Sequence, residues 1–529
     1  MPNLTAYIVL FLWPLIGVVL FRTQPPERAL VWTILGAYLF LPVRPVIDFP
    51  MIPSIDKGVI ASVVALVAVL ALRKGWAGPE PFAAATVPLA AGRGAVLHSR
   101  FGGPQRAERL PEAVPPQPEI VPQRRIGARQ MPETRLMSKG WVAALCLMAV
   151  LGVMATTLSN AEPVPAGPYF LPGMRAYDMI SILMGLGIML IPFLLGWRFL
   201  GTPTGQRALL MGFALGGLLY APLMLIEVRL SPQLNTWIYG FFPHSFAQHM
   251  RGDGFRPIVF LSHGLWVGIF MAMAILSSLA LWRLTPTGVR PSDRLRWLVL
   301  AGGLLVVLVL AKSLGALIIA LVLGVVVLLG GRRMVMLAAA GVAVLVLFYP
   351  MARGAGLVPV ETVLGLAESI DTDRAGSLRF RLVNEDMLLA KANEKALFGW
   401  GTWGRGFIYN DWGNRISITD GAWIILMNGF GWVGYLAQFG LLCIPVIRLA
   451  FRREIGPEAA FLAAVLAANL LDLIPNATLE SITWLAAGAV AGSILPQAVR
   501  AGQGVARREP NGTERRPLEG FSARRISRT

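Results

Sequence analysis

Along most of the chain, apolar runs long enough to cross a hydrocarbon core alternate with short polar breaks. A helix needs about 20 apolar residues to span a bilayer. Such runs fall near 6–21, 28–42, 58–72, 140–158, 178–196, 208–226 and 258–281. Others follow near 297–311, 314–330, 334–350, 422–447, 458–474 and 481–497. In lipid only a helix or a closed barrel satisfies its own backbone polar groups. A barrel would need alternating strands of about ten residues, and the chain has no such alternation. The stretch 295–330 is too long for one crossing. Lys312 and Ser313 divide it into a tight hairpin, which keeps the lysine near an interface rather than in mid-bilayer. The pattern predicts an all-α polytopic integral membrane protein of about 12–13 transmembrane helices, the lower number holding if an early segment is re-entrant.

Composition agrees. Hydrophobic residues make up 55% of the chain and charged residues 14%, against about 25% charge in soluble domains. A net charge of +18 invites a nucleic-acid reading. The basic residues, however, sit in loops and a tail between apolar runs, and no stretch interleaves them with aromatics on a soluble module, so no nucleic-acid partner is expected. Basic flanks mark the cytoplasmic side. Arg22 and Arg28, Arg73 and Lys74, Arg198 and Arg207, Arg283 to Arg296, Arg332 and Arg333, and Arg448 to Arg453 alternate with poorly basic loops. That places the N-terminus and the longer segments 159–177, 227–257 and 351–421 outside. Cys146 and Cys443 lie within apolar runs, which suggests neither a disulfide framework nor a thiol metal site. The first run has no basic n-region and meets Pro25 and Pro26, so it reads as a retained helix rather than a cleaved signal.

The organisation expected is N-terminal transmembrane helices (1–74), a cytoplasmic linker (75–138) and a transmembrane core (139–350). A large outer loop (351–421), C-terminal transmembrane helices (422–498) and a basic cytoplasmic tail (499–529) follow. The linker is rich in Pro, Ala, Gly and Arg without apolar periodicity, and it and the tail read as disordered. Their arginines are first of all topology determinants and can also meet anionic membrane lipid. No internal repeat is visible.

The outer loop carries the candidate chemistry. Residues 377–398 read as an amphipathic helix capped by Ser377, with Leu378, Leu382, Val383, Met387 and Ala390 at helical spacing. Arg381 has Glu385 four residues on, and a local ion pair would account for it. Arg379 has no acidic residue at those offsets. An unpaired guanidinium at a membrane surface can grip a phosphate with two hydrogen bonds, although solvation is the commoner fate. The run Gly399–Gly406 (GWGTWGRG) does not lie between the strand and helix of a βαβ unit, so it is no dinucleotide fingerprint. Its glycines allow a tight irregular loop close to the bilayer, with Trp400 and Trp403 at the interface. Asp420 stands at the mouth of the next span, as an N-cap or a functional carboxylate. In the loop before 264, the spacings of His244, His249, Asp253 and His263 match no ligand motif, and no metal is expected. Arg251 and Arg256 flank the next helix start, where they can meet lipid phosphate or a substrate diphosphate. His263, a turn or two inside that helix, should face the protein interior as a structural hydrogen-bonder or a site residue.

In combination these features resemble the O-antigen ligase/polymerase superfamily of bacterial envelope glycosyltransferases, over about residues 230–440. The elements are Arg256–Gly264 (RPIVFLSHG) at a helix start, Ala311–Leu317 (AKSLGAL) between paired helices, and the loop helix bearing Arg379 and Arg381. The Leu397–Gly401 turn (LFGWG) and the helix carrying Gly431–Gly434 (GWVG) complete them. The family's most recognisable motif is a His, a polar residue, a Leu and then Gly-x-x-Gly at fixed spacing. Asp420, Gly421, Ile424, Gly431 and Gly434 fill those positions, with an aspartate where the family has histidine.

The resemblance implies a GT-C-like fold with a large periplasmic loop, in the bacterial inner membrane. It implies metal-independent transfer of a glycan from undecaprenyl diphosphate to a glycan or lipid acceptor, with no cofactor. Under that implication Arg379, Arg256 and Arg381 hold the lipid diphosphate. Asp420 serves as base or acceptor-orienting group, provided its site raises its pKa. His263 and Arg251 are further candidates. The alternatives are a transporter of lipid-linked glycan or solute, which usually shows mid-membrane sites in repeated halves, and a non-catalytic component of envelope polysaccharide assembly.

Overall fold

The computed structural model describes residues 1–49, 52–73, 134–251, 254–370 and 372–494. The expected tail over 499–529, and the expected linker over 75–138 up to the helix start at Thr134, lie outside the described residues.

Every predicted apolar run contains a helix. The order is α1 (Leu4–Thr23), α2 (Pro26–Phe40), α3 (Lys57–Arg73), α4 (Thr134–Leu158), α5 (Ala176–Leu195) and α6 (Pro203–Leu230). Then come the short α7 (Leu234–Tyr239), α8 (Gly264–Leu284), α9 (Pro291–Leu310), α10 (Leu314–Leu329) and α11 (Arg332–Gly354). The loop helices α12 (Val360–Ile370) and α13 (Thr372–Asn393) precede α14 (Ala422–Ala450), α15 (Pro457–Asp472) and α16 (Ser481–Ser493). Antiparallel hairpins β1–β2 (Ile47–Phe49, Ile52–Ile55), β3–β4 (Val164–Ala166, Tyr169–Leu171) and β5–β6 (Met250–Arg251, Gly254–Phe255) decorate the loops.

Among the described residues, 7 helices are long and apolar enough to cross a membrane, and α3, α10 and α16 contain shorter apolar helices. The protein is an all-α, multi-pass membrane protein. A helix that is apolar all round belongs in a core. Accordingly α8 is buried on every side from Val267 to Leu281, packed by α6, α9, α10 and α15. Helices with one buried stripe, such as α1 and α11, turn their remaining apolar side chains outward. The Lys312 hairpin is present, with Lys312 in the left-handed region (φ 53°).

The connections predicted outside gather at one end of the bundle. Asn3 N–H donates to Tyr239 O, Asn160 Nδ2 to Gly399 O (2.9 Å), and Lys57 Nζ approaches Phe260 O (3.5 Å). Two helix starts that bear on the site differ from expectation. The helix α8 begins at Gly264 rather than 258, because Glu227 captures the chain before it. Its carboxylate accepts the N–H groups of Ile258 and Val259 (2.8 Å each) and of Leu234 (3.0 Å). This holds Val259, a β-branched residue, at φ 52°, outside the helical region. The loop helix begins at Thr372, so Ser377 lies within it and does not cap it.

The helix α14 is broken at Gly431, whose φ of 62° and ψ of −165° only glycine adopts readily. The two halves do not share an axis. Trp423 packs on Tyr349 of α11 (ring centroids 5.2 Å), and the Tyr435 hydroxyl donates to Val346 O (2.8 Å). Twelve residues of straight helix would separate the two contacts by about 18 Å, whereas their targets are about one helical turn apart. Into the break passes the 396–401 segment. Trp400 N–H donates to Asn428 O (2.8 Å) and Gly401 N–H to Gly429 O (2.9 Å); Trp432 N–H donates to Ala396 O (2.8 Å) and Val433 N–H to Leu397 O (3.2 Å). The fit leaves no space for side chains. A Cβ on Gly431 would lie 2.4 Å from the Leu397 backbone, and one on Gly399 2.5 Å from the Gly429 backbone.

Gly431→Ala is therefore expected to cost about 2 kcal/mol or more, read as a lowered melting temperature of the full-length protein in detergent. Gly341→Ala on α11, where a Cβ meets nothing within 4 Å, is the control and should be neutral or slightly stabilising. Equal melting temperatures for the two variants would refute the account of the break.

Candidate functional site

The site is assembled by three supports. Glu227 fixes the segment that carries Arg256 and His263. The N-terminus of α14 is tied to the α15–α16 turn, with Ala422 N–H shared between Leu473 O (3.0 Å) and Asn476 O (3.2 Å). Within that turn Asp472 accepts from Asn476 Nδ2 (2.8 Å) and Thr478 Oγ1 (2.7 Å), which aims Asn476. The third support is α13, held on α11 by Arg353. Its guanidinium meets Asp386 (2.7 Å), Glu385 (3.8 Å) and Leu382 O (3.3 Å).

At the junction stands an ion pair. Arg381 Nε faces Asp420 Oδ2 at 3.4 Å, with the two side chains 28% and 32% exposed. Arg381 Nη1 also donates to Asn476 Oδ1 (3.0 Å) and Pro475 O (3.3 Å). Alongside, Arg256 is buried, and its Nη2 donates to Ser313 Oγ (2.9 Å). The residue after Lys312 in the α9–α10 hairpin thus braces the buried arginine. His263 completes the group. Burial first, and then the charges of Arg256, the neighbouring histidines and Arg381, pull its ring down from 6.5 to about 2. It is neutral at physiological pH. Its Nδ1 accepts Leu265 N–H (3.1 Å), which leaves the proton on Nε2, facing Gln248 Oε1 (3.3 Å).

Several expectations are corrected. His263 is the N-cap of α8, not a residue one or two turns inside it. Arg381 does not pair with Glu385. Glu385 turns inward to Arg353 and receives the Tyr349 hydroxyl (3.3 Å), which frees Arg381 for Asp420. Arg379 is not unpartnered. It meets Glu368 of α12 (3.6 Å) in an exposed pair, and two positions along a helix turn it away from Arg381. Asp420 is not the cap of α14; Gly421 is. Arg251 belongs to β5, and its side chain lies outside the described residues. The face of α13 also differs. Val383 and Ala390 are exposed, whereas Asn384, Glu385, Leu388, Leu389 and Ala392 are buried. Two polar residues with partners inside displaced the apolar stripe.

The rings of His244, His249 and His263 converge, with centroids 4.7 to 6.0 Å apart. Among the described residues no group of His, Cys, Asp and Glu is arranged to hold a metal ion. His263 uses both ring nitrogens as above, and His249 Nδ1 faces Ser245 O (3.0 Å). The sequence reading missed Glu227, Arg353, Asn476 and Arg405. An acidic residue at the end of an apolar run was the available signal for Glu227. Arg405 is buried and spends its guanidinium on carbonyls of Pro172 (2.6 Å), Glu162 (2.9 Å) and Trp400 (3.1 Å). It stands between two open cavities of about 740 and 780 Å³. Neither cavity is lined by Asp420, Arg381, Arg256 or His263. Compared with protein-family models, curated proteins and solved structures, the chain matches none.

Glu385 supplies a pH test. Burial pushes it up to about 7, with Arg353 pulling against the shift. Its folded value lies above the unfolded one, so the folded state binds this proton more tightly. The stability it contributes is complete below 4.5, the ordinary value, and is lost as pH rises through about 7. The melting temperature of wild type should therefore fall between about pH 5 and 8 more steeply than that of Glu385→Gln. Parallel profiles would show that the carboxyl is not protonated on folding.

Proposed function

We propose that the protein is a metal-independent membrane glycosyltransferase of the O-antigen ligase/polymerase type. In this reading it transfers or polymerises a glycan carried on undecaprenyl diphosphate at the periplasmic face of a bacterial inner membrane, within a GT-C-like fold. The observation that carries the reading is the Arg381–Asp420 pair at the mouth of α14, with Arg256 and Arg381 both near enough to act on the charge of His263. A transfer of this kind needs a proton acceptor and fixed positive charge, and Asp420 and Arg381 are their counterparts there.

The chemistry is a displacement at the anomeric carbon. The acceptor hydroxyl oxygen forms the new glycosidic bond, and its proton passes to Asp420. The bond from the anomeric carbon to the diphosphate oxygen breaks, and its electron pair leaves with the diphosphate. Arg381 meets the charge that develops on that oxygen, and the field of buried Arg256 adds to it. His263 is uncharged and has both ring nitrogens engaged, by Leu265 N–H and Gln248 Oε1, so its part is to hold the start of α8 and Gln248 in place rather than to remove a proton. Arg381 also positions Asp420 before substrate arrives. Arg379, engaged with Glu368, has no part in this scheme.

Variants are compared in a glycan assay in cells at equal membrane expression. Asp420→Ala and Asp420→Asn should each lower product at least about 100-fold. Their thermal stability should stay within about 1 kcal/mol of wild type, as for other part-exposed ion pairs. Arg381→Lys keeps the charge but loses the planar fork and should cost about tenfold, whereas Arg379→Lys should be near wild type. Wild-type product from both Asp420 variants would sink the base assignment. Purified protein in liposomes with a lipid-linked oligosaccharide and acceptor separates transfer from transport: movement of the glycan without a new glycosidic bond would replace the enzyme by a transporter.

A further inference from the structure

The hairpin α12–α13 carries an apolar edge that no part of the described chain covers. Along α11 the outward side chains Leu337, Val344, Leu345, Phe348 and Met351 are 41–52% exposed, as a lipid-facing stripe of a spanning helix should be. The stripe does not stop where the helix does. Leu357, just beyond Gly354, is 75% exposed, and Val363 and Leu366 on α12 and Phe380 and Val383 on α13 extend the series at 42–63%. The helix α12 divides into faces that explain this. Leu364 is buried, Glu361 and Glu368 lie seven residues apart on one exposed side, and Val363 and Leu366 lie on the side opposite.

We infer that the α12–α13 hairpin is a membrane-seated element, with Leu357, Val363, Leu366, Phe380 and Val383 inserted at the boundary between headgroups and acyl chains where α11 leaves the bilayer. The occupant of this face is phospholipid, and the argument is continuity. The patch begins at Leu357, within one helical turn of the end of a spanning helix whose outward side chains are apolar, so the headgroup region is the surface nearest to it in the chain. The charges support an apolar seat rather than an ionic one. Glu361 and Glu368 face away from the patch, and Arg379 is neutralised by Glu368. Attachment should therefore be indifferent to salt and to the fraction of anionic lipid, unlike a polybasic contact. The seat does not depend on the glycosyltransferase reading. Its bearing on the site is positional: Phe380 precedes Arg381, so seating the one holds the other at the depth of lipid headgroups.

The test uses the full chain in phosphatidylcholine nanodiscs. The parent carries Cys146→Ser and keeps the buried Cys443, and its residual labelling sets the background. Nitroxides are placed at Leu366→Cys and Phe380→Cys, and at Glu361→Cys as the water-facing control. Collision with oxygen should exceed collision with a water-soluble nickel chelate severalfold at 366 and 380, and the order should reverse at 361. The pattern should persist when a quarter of the lipid is made anionic and when salt is raised tenfold. Nickel-dominated collisions at 366 and 380 would overturn the inference by showing that the edge stands in water. Labels shielded from both reagents, or broadened by a second label, would overturn it by showing a protein partner on this face.

Discussion

The break in α14 at Gly431 is the constraint on which the rest of the architecture turns. A span interrupted there loses backbone hydrogen bonds that lipid cannot replace, and the 396–401 segment supplies them. That exchange anchors the long loop to the bundle from within. Further ties follow from it: Thr156 Oγ1 donates to Phe398 O (2.6 Å), Asn160 binds Gly399 O, and Lys395 Nζ reaches Asn160 Oδ1 (2.8 Å). The upper half of α14, turned off the axis of the lower half, presents Asp420 to α13 instead of carrying it straight away from the membrane.

Charge is handled by burial with partners. Glu227, Arg353, Arg405 and Asp472 are all buried, and each is surrounded by groups that complete its hydrogen bonding or its charge. Removing one member of such a set would strand the other, which is why buried ionic groups cost most when half broken. The outcome is a division of labour. Fully enclosed charges build the frame, and the pair left one-third exposed, Arg381 and Asp420, remains within reach of a ligand.

Much of this was legible in the residues, and the losses are instructive. Apolar run length located the helices, and Lys312–Ser313 located a hairpin, because lipid imposes these rules through composition alone. Arg381 meets Asp420, and Arg256 and Arg381 both act on the charge of His263, while Arg379 pairs elsewhere. Its error was one of reach: the partner of Arg379 is Glu368, on another helix, whereas only i+3 and i+4 neighbours could be read from spacing. The start of α8 failed for a similar reason. Ile258 to Leu261 are apolar and would continue a helix, but a carboxylate 31 residues before Ile258 takes the amides of Ile258 and Val259, and the Tyr220 hydroxyl takes that of Phe260. Long-range polar contacts decide such details, and periodicity does not contain them.

The filled break has one more consequence, for permeability. Interrupted helices in membranes commonly leave peptide groups that water or ions come to occupy. Here the carbonyls of Asn428 and Gly429 and the amides of Trp432 and Val433 are taken by the protein's own chain. The seam is filled by peptide, which satisfies these four backbone groups in place of water. A polar, charged cluster can then open on one side of the membrane without giving protons or salt a route to the other.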